Sequence, residues 1–257
     1  MPRLEWGPTV RVLSLLTAAF LVAAAVIWTD VVFGWLTGPP PFGGIDFLDE
    51  RMRDWAWQYS RWPEEFAATA LFALGFLALA GVGVLLAQLG DRTDARRPLV
   101  GAAFLGAGGI GAASQLIWLG VKPFATQPHY CDCNFRAEEI WSRMVLMDGT
   151  NEAQLWLVIG AILLAAAAML LVAGLGRDSG MSSAWVWLSF IIAAMGVVTV
   201  VLGALNAWPF NQIFILIVAG ALVPIWAILL AIAAPRLASP GGDLLEPEPE
   251  PMETATG

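Results

Sequence analysis

The sequence predicts an all-α, polytopic integral membrane protein with six transmembrane helices arranged as three hairpins under an extracytoplasmic cap. Three observations predict it. Hydrophobic residues make up 58% of the chain and charged residues only 13%, against about a quarter charged in a soluble domain. Nearly charge-free apolar runs of roughly 20 residues, enough to cross a hydrocarbon core of about 30 Å, recur at about 12–35, 66–89, 99–121, 152–175, 185–207 and 213–234. Polar, proline and glycine signals separate these runs. The net charge of −8 owes much to Asp243, Glu246, Glu248, Glu250 and Glu253 near the end of the chain, and no basic patch points to nucleic acid.

The first run, about Val12 to Trp35, follows Arg3 and Arg11 and includes Ala23-Ala24-Ala25, as a secretory signal could. It is too long for a signal h-region, so it reads as an uncleaved first span. Gly38-Pro39-Pro40-Pro41 ends it, because proline lacks the N–H and fixes its backbone angle. In the loop of residues 37–64, Met52, Trp55, Tyr59 and Trp62 recur at helical spacing opposite Arg51, Arg53, Asp54 and Gln58. That pattern suits an amphipathic helix at the headgroups with Trp55, Tyr59 and Trp62 as interface anchors, or an ordinary loop helix packed on the bundle.

Glu64 and Glu65 lead into the second span, and a basic turn holding Asp91, Arg92, Asp94, Arg96 and Arg97 closes it. Pro98 opens the third span where a missing N–H matters least. Gly101, Gly106, Gly108, Gly109 and Gly111 stud this span. Between membrane helices such small residues permit close backbone approach, which places the third span centrally. After a loop of residues 122–150, Asn151-Glu152-Ala153-Gln154 opens the fourth span, which returns at Gly176-Arg177-Asp178-Ser179-Gly180. The fifth and sixth spans are joined by Asn206 to Gln212, and Pro224 predicts a kink in the sixth. Residues 237–257, rich in Pro and Glu, are expected to be disordered.

Six spans put both termini on one side. That side carries Arg3, Arg11, Arg92, Arg96, Arg97, Arg177 and Arg236, and the other Arg51, Arg53, Arg61, Lys122, Arg136 and Arg143. The totals hardly differ, but the first set sits in short turns and the second in longer, more acidic loops, so the positive-inside rule favours cytoplasmic termini in a plasma (inner) membrane. The two longer loops then form the outer cap. Polar residues gather toward that face: Asp30, Gln115, Glu152, Gln154, Asn206 and Gln212. They are candidates for contact with a ligand or partner, or for bonds that simply tie helix ends together. No polar track crosses the inner half, which weighs against an ion-driven transporter.

His129, Cys131 and Cys133, the only histidine and the only cysteines, share the second outer loop. Three uses remain open: a structural disulfide or buried thiols, a soft-metal site, or redox chemistry at a strained disulfide. The spacing matches no zinc-ribbon or thioredoxin pattern. No phosphate loop, nucleophile elbow or His-Glu-x-x-His is present, and no motif indicates a cofactor. These features favour a non-enzymatic accessory, assembly or sensing subunit that meets the bilayer and a membrane protein complex. The alternatives are a carrier or channel for a small or apolar solute, and a redox or metal-binding protein built on Cys131 and Cys133.

Overall fold

A computed structural model describes residues 6–33, 61–89, 93–126, 137–205 and 210–236. All regular structure among them is helical: α1 Trp6–Phe33, α2 Trp62–Leu86, α3 Arg96–Thr126, α4 Ala137–Asp178, α5 Ser183–Ala204, α6 Phe210–Ile217 and α7 Val223–Ala233. A π turn, Val218–Leu222, joins α6 to α7, and a 3-10 turn, Ala234–Arg236, follows. Among the described residues six stretches are long and apolar enough to cross a membrane: Trp6–Val31, Trp62–Leu86, Arg96–Lys122, Gly149–Asp178, Ser183–Ala204 and Ile213–Ala233. The six spans expected from composition are therefore present.

One boundary differs substantially. The polar run around residues 148–152 reads as a loop followed by a helix start, yet α4 begins at Ala137 and continues for 42 residues. A glycine inside a helix costs only about 1 kcal/mol, too little for Gly149 to break a ladder continuous on both sides. Thr150 turns its hydroxyl back to the Leu146 carbonyl at 2.7 Å, so its polarity is satisfied within the helix. At about 1.5 Å per residue, α4 is about 63 Å long. Much of the expected 122–150 loop is thus helix, belonging to the end of α3 and the start of α4.

Each helix packs on its neighbour in sequence, and α7 with its flanking turns closes the ring onto α1. These contacts alone do not divide the ring into three hairpins. A β carbon on Gly7 would lie 3.2 Å from the Ala234 carbonyl oxygen, so the two ends of the described chain meet at one end of the bundle. We call this the terminal end and the opposite one the distal end. The third span is not the most enclosed: 56% of the α2 span window is buried, against 44% for α3.

Glycine explains the α2–α3 approach. A β carbon on Gly108 would stand 2.5 Å from the Phe76 carbonyl oxygen and 2.6 Å from the Ala80 β carbon, whereas one on Gly109 would meet nothing within 4 Å. Gly108→Ala is expected to destabilise by about 1–3 kcal/mol, the usual range for overpacking. Gly109→Ala should be neutral or gain up to about 1 kcal/mol from helix propensity. Unfolding of the two variants in mixed micelles checks the contrast.

At the terminal end, Arg96 bonds both Asp94 and Asp178 at 2.6 Å, and Arg97 donates to the Ala87 carbonyl at 2.7 Å. These contacts join the start of α3 to the ends of α4 and α2. The α4 end is closed by Gly180 at φ +75, with the Met181 N–H reaching the Gly176 carbonyl at 2.8 Å. That is the left-handed glycine cap that satisfies the last carbonyls of a helix. The Ser182 hydroxyl then accepts from the Trp185 N–H to start α5. Hydrogen bonds from Arg96 hold the Asp94 carboxyl below its ordinary value of 3.8. A depressed carboxylate stabilises the fold above its unfolded pKa, and the effect is lost as pH falls through the lower folded value. Asp94→Asn is accordingly expected to flatten the acid limb of a stability profile taken below about pH 4.

The core nearer the terminal end is aromatic. The Trp226 ring stacks on Trp185 at 5.2 Å and on Phe104 at 6.2 Å, and all three are fully buried. The Trp226 indole N–H donates to the Ser189 hydroxyl at 2.8 Å, which donates in turn to the Trp185 carbonyl at 3.0 Å. Three helices that are not all ring neighbours, α3, α5 and α7, meet through this stack.

Candidate functional site: a buried charge cluster at the distal end

The distal ends of α1, α2 and α3 carry two buried ion pairs arranged around the first turn of α2. That turn starts Arg61-Trp62-Pro63-Glu64-Glu65. Proline suits the first helical positions, where its missing N–H is not needed, and the carboxylates of Glu64 and Glu65 face the positive end of the helix dipole. The Glu65 N–H bonds the Arg61 carbonyl at 3.0 Å, which sets the two side chains one turn apart.

From there they reach different neighbours. Arg61 contacts the Asp30 carboxylate of α1 at 2.6 Å, with both side chains only 8% exposed. It also lies 3.5 Å from the half-exposed Glu64. Glu65 reaches α3, where its Oε1 accepts a very short hydrogen bond from Lys122 Nζ and another from the Trp118 indole N–H at 3.0 Å. Lys122 is itself 4.8 Å from the centre of the Trp118 ring, close enough for a cation–π contact. The Glu65 Oε2 oxygen is buried and accepts no hydrogen bond among the described residues, which carries a penalty of order 1–3 kcal/mol.

Beneath this layer, Ser114 and Gln115 sit on the face of α3 that also carries Trp118 and Lys122, since residues three and four apart on a helix are neighbours. The Gln115 amide donates to the Ser114 hydroxyl at 3.3 Å, and that hydroxyl donates to the Gly111 carbonyl at 2.7 Å. The arrangement positions fixed charges in a low-dielectric setting and ties three helix ends together. Among the described residues no group of three or more His, Cys, Asp and Glu could hold a metal ion.

The residues singled out from sequence fall into four groups. Asp30 is a member of the cluster, and Gln115 lies two turns below Lys122. Glu152 is exposed and Gln154 half-buried along α4, away from the ion pairs of the distal cluster. Trp62 meets Phe66 edge-on at 5.9 Å. Asn206, His129, Cys131, Cys133, Trp55 and Tyr59, and the side chain of Gln212, lie outside the described residues.

Sequence reasoning missed Arg61, Glu65, Trp118 and Lys122, because each reads as an ordinary residue of a helix mouth or loop. The available signal was alternation of sign at one depth. An acid near the end of the first span, Arg61 and Glu65 at the start of the second, and a lysine at the end of the third must all lie at the same level in successive antiparallel helices. Comparison with protein-family models, curated proteins and solved structures found no match.

Proposed function

We propose that the chain is a non-enzymatic subunit of the plasma (inner) membrane, with cytoplasmic termini, that assembles with or senses a partner through its extracytoplasmic face. The distal end is that face, and the residues beyond the helix ends form a cap over it. One observation carries the reading: Asp30 of α1, Arg61 and Glu65 at the start of α2 and Lys122 of α3 form two buried ion pairs at one end. A site built to bind and release an ion would keep such groups near mid-membrane. Here the other half is filled by Phe104, Trp185 and Trp226.

Extraction of the full chain in a mild detergent tests the proposal through the mass and composition of the particle. A defined complex whose stoichiometry survives dilution is expected, and a monodisperse single chain would overturn the reading. Reconstitution into sealed vesicles separates it from the carrier alternative, since the proposed subunit adds no flux of small or apolar solutes over empty vesicles.

A further inference from the structure

The sixth span is built in two pieces that are anchored very differently. Its terminal-end piece, α7, packs along α1 and carries the fully buried Trp226 and Leu230. Its distal piece, α6, packs on α5 and makes no comparable contact with α1. The sixth span comes close to α1 at Gly220, where a β carbon would lie 2.7 Å from that of Ala25. Beyond that point the two helices part.

The junction between the pieces is weak in its backbone. The Val223 N–H bonds the Val218 carbonyl five residues back, the signature of a π turn. Pro224 then offers no N–H at all, and its ring disfavours a regular ladder. The kink expected at Pro224 therefore takes the form of a π turn just before it, and such interruptions are where helices bend. Inside a bilayer no hydrophobic force drives one helix onto another, so α6, which among the described residues packs mainly on α5, is held chiefly by dispersion with that neighbour.

We infer that α6 is a hinged flap: it swings about the Val218–Leu222 turn, opening and closing the distal gap between α1 and the sixth span while α7 stays fixed on the core. The motion uses no charge of the distal cluster and does not depend on the function proposed above.

Spin labels on the full chain, in a Cys131→Ser/Cys133→Ser background reconstituted in bilayer discs, test this. The distal pair is Thr29→Cys with Ile213→Cys, and the control pair is Val12→Cys with Ile232→Cys, on α1 and α7. The distal pair should give a distance distribution spread over about 10 Å, one helix diameter, while the control pair stays narrow. Pro224→Ala, which returns a backbone donor to the ladder, should narrow the distal distribution with no change in the control. A narrow distal distribution, or one as broad in the control pair, would overturn the hinge, as would a Pro224→Ala variant that leaves the distal spread unchanged.

Discussion

Lys122→Met is expected to destabilise the protein by about 3–5 kcal/mol, because it leaves the Glu65 carboxylate buried with its cation removed. Lys122 and Glu65 side chains are only 4% and 6% exposed, so water cannot take over the role of the lost partner. Trp118 would still donate to Oε1, but one neutral donor does not balance a charge. The double substitution Glu65→Leu/Lys122→Met should recover most of the loss, since replacing both members of a buried pair with apolar groups is often neutral. Unfolding free energies of the two single variants and the double variant in mixed micelles form the cycle. Additive losses would show that the pair is not coupled as its geometry requires.

Trp226→Ala is expected to lose about 3–5 kcal/mol, the range for emptying a large aromatic site. The ring stacks between Trp185 and Phe104, so its removal disconnects α7 from both α3 and α5. Trp226→Phe keeps most of the volume but gives up the hydrogen bond to Ser189, and a loss of about 1 kcal/mol is expected. Near-ultraviolet circular dichroism provides a second readout, because the stacked indoles should dominate the signal and Trp226→Ala should collapse it. An unchanged spectrum with unchanged stability would remove the stack from the account of the core.

The two effects mark the limits of what the chain discloses before its helices are assembled. Spans are legible because crossing a bilayer demands an apolar length, and that demand is local to each segment. Gly108 also announces its role, since small residues in a membrane helix signal close approach. Partnerships depend on which faces meet, and that information is not local. Asp30 stands out as an acid near a membrane span, but Arg61, its partner, is 31 positions away in what reads as a loop.

Tryptophan misleads in the same way. Interface anchoring suits Trp156 and Trp187, which are 55% and 67% exposed, yet Trp185 and Trp226 are fully buried in the core. A residue with an apolar body and one polar atom serves either place, most readily when a buried N–H finds an acceptor; Ser189 supplies that acceptor for Trp226, whereas the buried Trp185 indole N–H meets none among the described residues. The start of α4 was obscured for a different reason. Capping residues and glycine mark helix starts only when the preceding segment is not helical, and residues 137–150 are.

Sidedness tests the central claim most directly, because the proposed orientation puts the buried distal charge cluster outside and both termini in the cytoplasm. Cys131 and Cys133 fall in the sequence between α3 and α4, and a cysteine placed at the exposed Arg177 would mark the terminal end. After mild reduction, an impermeant thiol reagent applied to intact cells should label Cys131 and Cys133, and should label Arg177→Cys in a Cys131→Ser/Cys133→Ser background only after permeabilisation. The reverse pattern would place the charge cluster on the cytoplasmic side and contradict the account.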